Sequence, residues 1–283
     1  MRYCGREFSD TELERIRQLS TEPKMNRYVL SLRVCQEFKW YKLDGGLKDM
    51  SCRVALLRMQ TDGLVQLPTP RSQNTNRRRE IVNTEKTDPQ VPIISPVGQL
   101  HGIQFELVSK SNSRLWTEYI NRYHYLGYKP LPGAQLRYFV RSNEGLLALF
   151  GFGAAAWKTL PRDEFIGWTP QVQETRLHLV VNNARYLILP WVQSKNLASK
   201  LLGLVTKRLI QDWQKRYGYS PVLLETFVEK DRFRGTCYRA ANWTYLGETT
   251  GRGKLDRKNT PSLPIKDILV FPLSKDFRKT LTR

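Results

Sequence analysis

The stretch RYLILPWVQSKNLASKLLGLVTKRLIQDW, residues 185–213, decides the fold of the larger part of the chain. Its opening, RYLILPWV, is rich in aliphatic and aromatic residues and predicts a buried strand. After the turn QSKNLA, apolar residues recur at three- and four-residue spacing as far as Trp213, which predicts a long amphipathic helix. A second apolar strand, Val222–Val228, follows the breaker YGYSP. A strand, a helix and a strand in this order predict an α/β unit.

The sequence on both sides extends this unit to residues 97–283. Short segments with alternating apolar residues, typical of strands, recur from Gln104 to Phe271. The sequence therefore predicts a mixed sheet flanked by helices, and the whole chain is expected to be an α+β protein. The helix-like stretches between the strands are Ser113–Tyr123, Leu197–Tyr217 and Gly235–Ala241.

Residues 1–70 have the pattern of a smaller helical domain. Three short amphipathic helices are predicted, with N-caps at Asp10 and Asn26 for the first two and the range 48–62 for the third. Residues 64–70 predict a short strand. Three helices followed by a strand indicate a winged-helix DNA-binding domain. The apolar residues expected to face inward are Leu13, Ile16 and Leu19, then Tyr28, Leu32 and Cys35, then Met50, Val54 and Leu57.

Residues 71–96 have little apolar periodicity and many turn-forming residues, so they are interpreted as a basic and polar linker. Within this segment, the run Arg77, Arg78 and Arg79 has two interpretations. It either contacts DNA phosphates or forms a solvated charge cluster, and the composition favours neither.

The chain has 46 Lys and Arg against 26 Asp and Glu, which gives a formal net charge of +20. Residues 1–110 account for +5 of this excess, and residues 111–283 account for +15. An excess of this size indicates a nucleic-acid partner, and DNA is expected. We expect a cytoplasmic protein with no membrane partner, because the sequence contains neither an apolar stretch long enough for a membrane span nor an apolar signal segment.

Two groups of residues are candidate DNA contacts. Lys48, Ser51 and Arg53 lie at the start of the third predicted helix, where a recognition helix would face base edges. A second group follows Gly251, where backbone N–H groups and closely spaced cations suit a phosphate, with a solvated mobile loop as the alternative. This second group consists of Arg252, Lys254, Arg257 and Lys258.

The order of segments between residues 185 and 253 resembles the core of GNAT-type N-acyltransferases. In that family a Gln/Arg-x-x-Gly-x-Gly/Ala turn holds a pyrophosphate on backbone N–H groups at a helix N-terminus. Gln193, Asn196 and Ala198 stand at the three positions, with asparagine in place of the first glycine. The resemblance implies acyl-coenzyme A as cofactor. It also implies that Tyr238 is the general acid that protonates a leaving thiolate.

The whole chain resembles a narrower family, the DruA family of Druantia anti-phage systems. Its members are also similar to regions joined to transposases in bacterial mobile elements. The resemblance implies prokaryotic origin, work on DNA, and partners from the same defence or transposition system. The motifs that carry it are GGLKDMSCR from Gly45, YHYLGY from Tyr123, IGW from Ile166, RYLILPWV from Arg185, NLAS from Asn196, LETFV from Leu224, GTCYRAANW from Gly235 and GETTGRGK from Gly247.

The dipeptide of His124 and Tyr125 is similar to the His-Tyr pair of Mom-type DNA-modifying proteins of phages, which are also GNAT-like. An imidazole in a loop suits a base or a single metal ligand, for iron among others. A closed metal site would need carboxylates from elsewhere, such as Glu174, Glu225 or Asp163. The alternative is a structural histidine that donates a hydrogen bond to a backbone carbonyl.

Glu225 lies inside an apolar strand, and two interpretations of it are open. Burial would raise the pKa of this carboxyl and suit it to general-base work. Alternatively, Arg185 or Arg176 pairs with it as a structural bridge.

The leading hypothesis is a DNA-binding protein with a winged helix and a GNAT-like domain that modifies a base or processes DNA ends. His124, Tyr125, Glu225 and Tyr238 would then converge on one catalytic cleft. The second hypothesis is a non-enzymatic DNA-binding component that recruits a nuclease, helicase or transposase. A metal-dependent nuclease ranks last, because no Asp/Asp/Glu set follows three consecutive strand ends.

Overall fold

The computed structural model describes residues 1–42, 45–71, 80–252 and 262–283. The chain divides into two compact units, residues 1–79 and residues 80–283. Several predicted DNA contacts lie outside the described residues, namely Arg77, Arg78, Arg79, Lys254, Arg257 and Lys258. Among the helices that the structure describes, none combines the length and the apolar character needed to cross a membrane.

The first unit contains three helices packed around one apolar core. Its elements are β1 (Arg2–Tyr3), β2 (Arg6–Glu7), α1 (Asp10–Thr21), α2 (Arg27–Glu37) and α3 (Asp49–Thr61). Ser9 caps α1 in a capping box with Glu12, one residue before the cap predicted at Asp10. Asn26 caps α2 as predicted, because its Oδ1 accepts hydrogen bonds from the N–H groups of Tyr28 and Val29.

The core of this unit confirms one predicted helix face and corrects two. Leu13, Ile16 and Leu19 of α1 are buried, as predicted. Tyr28 of α2 is exposed, whereas Cys35 is buried. Met50, Val54 and Leu57 of α3 are 60 %, 40 % and 45 % exposed, so this predicted face is wrong. The helix buries its other apolar stripe, made of Cys52, Ala55, Leu56 and Met59.

Residues 64–70 form no strand in the structure, although these residues are described. The strand predicted there for a winged helix is therefore wrong. The described strands of this unit are instead β1 and β2, which pair antiparallel before α1. What is observed is a three-helix unit with a short amino-terminal hairpin.

The second unit is a mixed sheet with helices, as predicted. Its central sheet has seven strands in the order β10-β11-β9-β7-β6-β5-β4. The strands of the unit are β3 (Ile93–Ile94), β4 (Gln104–Leu107), β5 (Leu136–Ser142), β6 (Gly145–Ala154), β7 (Val180–Ile188), β8 (Val192–Gln193), β9 (Leu223–Glu229), β10 (Thr244–Glu248) and β11 (Lys266–Pro272). The helices are α4 (Ser113–Tyr123), α5 (Leu160–Ile166), α6 (Pro170–Arg176), α7 (Leu197–Tyr217), α8 (Thr236–Ala240) and α9 (Phe277–Thr282), with 3-10 turns at Glu85–Thr87 and Leu177–Leu179.

Residues 80–96 belong to the second unit, although the sequence predicts them as linker. Glu118 of α4 is buried and accepts hydrogen bonds from Thr84 and Thr87. Further along, β3 pairs in parallel with β8. Side-chain and backbone hydrogen bonds therefore hold this segment in place. The linker prediction missed it, because that prediction depends on the lack of apolar periodicity.

One pair of neighbours in the central sheet is parallel, and this pair positions the candidate site. Strands β7 and β9 pair only through Val180–Asn182 and Leu223–Glu225, at their amino-terminal ends. Beyond these residues the pairing ends and the two strands separate. A β-bulge between Asn183 and Arg185 of β7 accompanies the separation. The long helix α7 follows β7, and its bounds agree with the predicted stretch.

Candidate active site

A cavity of about 420 Å³ lies where β7 and β9 separate. Its lining includes the predicted site residues His124, Tyr125 and Tyr238, so the structure brings these three together. Of the predicted cofactor residues, Ala198 also lines it. Glu225, the fourth predicted catalytic residue, does not.

The cavity is lined from both faces of the sheet. Consecutive residues of a strand point to opposite faces. Arg185 Nε donates to the carbonyl of Gly127 in the loop after α4 (3.3 Å), whereas Tyr186 Oη donates to the carbonyl of Ala198 in α7 (2.8 Å). The loop after α4 and the start of α7 therefore cover opposite faces of β7. Since both contribute lining residues, the cavity connects the two faces.

Tyr238 lies at the α8 side of the cavity and is 8 % exposed. Gly235, in the left-handed conformation, begins α8 and turns the chain so that the phenol points towards β7. Tyr238 Oη donates to Asn183 Oδ1 (2.7 Å), and Thr226 Oγ1 lies 3.5 Å from Tyr238 Oη. Burial raises the pKa of Tyr238. The phenol therefore holds its proton at neutral pH, as a general acid requires.

His124 is the first residue after α4 and is 9 % exposed. The N–H of Leu126 donates to its Nδ1 (3.2 Å), and its ring stacks on Tyr125 with centroids 4.9 Å apart. Burial, assisted by the nearby charge of Arg185, lowers the pKa of His124 to about 4. The imidazole is therefore neutral at pH 7.

Aromatic and cationic side chains surround Tyr125. Its ring meets the ring of Phe233 edge to face at 5.0 Å, and the guanidinium of Arg232 lies 5.2 Å from its centroid. Phe233 is 44 % exposed although it lines the cavity. Arg234 also lines the cavity, and it makes no hydrogen bond or ion pair with the described part of the chain. Phe233 and Arg234 therefore remain available to a ligand.

The turn before α7 has the backbone that the GNAT resemblance implies. Asn196 takes φ = +66°, the left-handed conformation that glycine adopts readily and asparagine tolerates. Gln193 and Asn196 are both exposed. Between them, the Oγ of Ser194 is buried without a hydrogen-bond partner among the described residues. An exposed helix N-terminus beside an unsatisfied hydroxyl fits an anionic group bound at this turn.

Glu225 points away from the cavity, and this placement corrects its predicted catalytic role. Its carboxylate is fully buried and pairs with Arg162 (2.7 Å), which is also fully buried. The N–H of Ala156 donates to the other carboxylate oxygen (2.7 Å). The bridge alternative therefore fits, although Arg162 takes the place of the predicted Arg185 or Arg176. Thr226, the next residue of β9, faces the cavity instead.

The side chains do not fit an iron centre at His124. Among the described residues, no three His, Cys, Asp or Glu side chains lie close enough to hold a metal ion. Moreover, Nδ1 of His124 already accepts a hydrogen bond, which places the ring proton on Nε2. In this tautomer neither nitrogen is free to bind a metal.

The described DNA candidates are partly engaged with the protein itself. Arg53 of α3 pairs with Asp49 (2.9 Å) and lies 5.6 Å from the ring centroid of Tyr28. Lys48 and Ser51 are half-exposed at the start of the same helix. Arg252 follows Gly251, whose carbonyl accepts the N–H groups of residues 262 and 263.

Several cavity residues were not predicted from the sequence, among them Asn183, Phe233 and Arg234. Asn183 lies inside an apolar strand, where an amide needs a partner, and this could have marked it. The exposed arginine and aromatic residues before Gly235 had no such signal, because surface loops commonly have this composition.

Together, the splayed parallel pair, the turn into α7 and the buried tyrosine define a mixed α+β protein with a cavity in its central sheet. The family model described as Druantia protein DruA matches residues 58–263. The chain therefore belongs to the DruA family.

Comparisons with solved structures return acetyltransferases. An aminoglycoside acetyltransferase AAC(6')-Ib, solved in complex with coenzyme A, has 15 % identity and a TM-score of 0.42 over 60 % of this chain and 95 % of its own. A probable acetyltransferase from Staphylococcus epidermidis has 8 % identity and a TM-score of 0.40, over 61 % and 100 %. A GNAT-family acetyltransferase from Streptococcus pneumoniae has 10 % identity and the same TM-score and coverage. Among proteins of curated function, none matches this chain.

Proposed function

We propose that the second unit transfers an acyl group to DNA as part of an anti-phage defence system. The observation that carries the proposal is the phenol of Tyr238, held by Asn183 in a cavity that connects both faces of the sheet. A cavity that reaches both faces would let a donor and an acceptor meet from opposite sides. The acidic proton lies between them, where a leaving group would take it.

In this proposal the donor binds on the α7 and α8 side. Gln193, Asn196 and Ala198 would hold the pyrophosphate of a coenzyme A thioester on the exposed backbone of the turn. When bound, the thioester supplies an activated acyl group. The unsatisfied Ser194 hydroxyl and the left-handed Asn196 support this assignment, because both suit a bound anion.

Tyr238 moves the proton. As the acceptor nitrogen bonds to the acyl carbon, the carbon–sulfur bond breaks and Tyr238 gives its phenolic proton to the departing sulfur. The proton lost from the nitrogen then restores the phenol. The net change moves one proton from nitrogen to sulfur. Asn183 orients the phenol throughout, since its Oδ1 accepts the O–H in the resting protein.

The net charge of +20 supports DNA as the acceptor. In this proposal the three-helix unit binds DNA, with Lys48, Ser51 and Arg53 of α3 against the duplex. The cations at residues 77–79 and 252–258 contact phosphates. Partner proteins of the same defence or transposition system would then be recruited to the bound DNA.

The test replaces Tyr238 with phenylalanine in the full chain. DNA is incubated with the protein and acetyl-coenzyme A, and the nucleosides are then examined by mass spectrometry. Wild-type protein is expected to add an acetyl group, and Tyr238→Phe is expected to lose most of this activity while it still binds coenzyme A by calorimetry. Tyr245→Phe is the matched control, because Tyr245 does not line the cavity.

Equal activity in Tyr238→Phe and wild type would overturn the role of the phenol. The absence of any modified nucleoside, together with unchanged DNA binding in Tyr238→Phe, would instead favour the non-enzymatic component that recruits a nuclease, helicase or transposase.

A further inference from the structure

The charged side chain that lines the cavity is positive. None of the lining residues that the structure describes is Asp or Glu, and Arg234 is the one Lys or Arg among them. Arg185, 8 % exposed, lies close behind His124 and Tyr125 and donates only to backbone carbonyls. Near Tyr125, the carboxylate of Glu229 is 3.5 Å from the guanidinium of Arg232. The cavity is therefore unsuited to a cationic ligand.

His124 does not supply a base. Because the N–H of Leu126 occupies Nδ1, the ring proton is on Nε2. His124 can therefore donate a hydrogen bond but accept none. Tyr238 donates its own proton to Asn183, and Cys237 is a thiol because burial raises its pKa. The lining residues that the structure describes thus include hydrogen-bond donors, but none of these residues removes a proton at pH 7.

This combination restricts the acceptor. An alkylamine has a pKa near 10 and arrives as an ammonium ion that must lose a proton before it can attack. Here it would meet Arg234 and find no base. The exocyclic amine of a nucleobase is uncharged at pH 7, and the adjacent ring nitrogen or carbonyl accepts a hydrogen bond of the kind His124 donates.

We propose that the cavity receives an unpaired nucleobase of DNA, whose exocyclic amine accepts the transferred group, and this proposal rests on the function proposed above. Phe233 offers an exposed ring on which a base stacks, with Tyr125 packed against it at 5.0 Å. Arg234, beside Phe233, binds the phosphate of the same nucleotide. His124 Nε2–H fixes the base edge.

The binding test needs no acyl donor, so its result does not depend on whether acyl transfer occurs. A fluorescent single-stranded oligonucleotide of about a dozen nucleotides is titrated with the full chain, and a second oligonucleotide carries abasic sites at its centre. Binding to the sugar–phosphate backbone is the same for both, so their difference reports base capture. We expect wild-type protein to bind the intact oligonucleotide about tenfold more tightly, since one stacked base contributes about that factor.

Two variants and one control assign this difference to the cavity. Phe233→Ala is expected to abolish the preference for intact DNA, and Arg234→Ala is expected to weaken binding. Arg278→Ala is the matched control, because Arg278 also lies over an aromatic ring, that of Phe165 at 4.3 Å, but does not line the cavity. An unchanged preference in Phe233→Ala would overturn the proposal.

Three further experiments separate the ligand sources, test the exclusion of alkylamines and test the histidine. Competition by free deoxynucleoside monophosphates that equals the oligonucleotide on a molar basis would assign the cavity to a free nucleotide and overturn the DNA acceptor. Saturable binding of spermidine that depends on Arg234 would overturn the exclusion of alkylamines. Nitrogen-15 NMR is expected to show His124 protonated at Nε2 and bare at Nδ1, with the signals identified by their loss in His124→Gln. The reverse tautomer would overturn the role of His124.

Discussion

Replacement of Glu225 separates a structural role from a catalytic one. The side chains of Glu225 and Arg162 are both fully buried and form an ion pair at 2.7 Å. Arg162 also donates to the carbonyl of Ala156, whose N–H donates back to Glu225. Burial raises the pKa of Glu225, and the guanidinium and the N–H oppose this rise. Glu225→Ala removes one of the two carboxylates that pair with Arg162, whose guanidinium keeps Asp163 (2.8 Å), and it leaves the N–H of Ala156 without its acceptor.

The expected cost follows from these contacts. Removal of one partner of a buried ion pair costs about 3–5 kcal/mol, and because Arg162 keeps its pair with Asp163 we expect the lower end, about 3 kcal/mol. For a unit of about two hundred residues, each kcal/mol lowers Tm by about 2–4 °C. Glu225→Ala should therefore lower Tm by about 10 °C in a scan followed by near-ultraviolet circular dichroism. Glu248→Ala is the control, because the Glu248 pair with Lys230 is exposed and should barely move Tm.

Two results would refute this reasoning. If Glu225→Ala unfolds at the same temperature as Glu248→Ala, the buried bridge does not hold β9 to the Ala156 loop. If Glu225→Ala keeps wild-type stability and ligand binding but loses nucleoside modification, the carboxylate is catalytic after all.

Four further predictions concern three single positions and the binding of DNA. Gly151→Ala should destabilise the second unit by about 1–3 kcal/mol in urea unfolding, because its Cβ would lie 3.1 Å from Arg185 Cβ and 3.2 Å from the Trp116 ring. Gly203→Ala in α7 is the control and should stabilise the unit, because its Cβ would meet no neighbouring atom within 4 Å. Asn196→Gly should preserve stability and coenzyme A binding, whereas Asn196→Val should cost about 1–2 kcal/mol at φ = +66°; equal stabilities would contradict the left-handed turn. The pKa of His124 is lowered from 6.5 to about 4, so the folded state binds fewer protons than the unfolded chain between these values and loses stability as pH falls. Relative to His124→Gln, the wild type should lose about 3 kcal/mol between pH 7 and pH 4, and a constant difference would disprove the burial of a neutral ring. Finally, affinity for duplex DNA should fall about a thousandfold from about 50 to 200 mM salt if about six phosphates are contacted, and a flat response would argue against DNA binding.

Sequence periodicity predicted the long elements well. The stretch Leu197–Tyr217 is α7, and Ser113–Tyr123 is α4, with the same bounds. Their apolar stripes face one core, so spacing alone was sufficient. In α3 the same method chose the wrong face, because that helix carries two apolar stripes. Only packing against α2 decides that Cys52 and Leu56 are buried while Met50 and Val54 are exposed.

The candidate site was only partly predictable, and strand geometry explains the limit. Glu225 and Thr226 are neighbours on β9, but Glu225 still pairs with β7, whereas Thr226 is the first residue beyond the paired stretch and lines the cavity. The sequence does not reveal which face opens, because this depends on where β9 separates from β7. The partner of Glu225 is Arg162, which precedes it by 63 residues in the chain. Pairing over such a distance leaves no local pattern.

The excess positive charge of residues 111–283 is also present at the cavity. Three carboxylates near the cavity already form ion pairs. Glu225 pairs with Arg162, Glu229 pairs with Arg232, and Asp267 lies 3.8 Å from Arg239. Arg234 has no such partner in the described part of the chain and lines the cavity. A cationic small-molecule amine would therefore be repelled where it has to react, whereas a nucleotide brings both the phosphate that neutralises Arg234 and an amine that needs no base. The composition of the chain and the chemistry of its cavity thus favour the same acceptor for independent reasons.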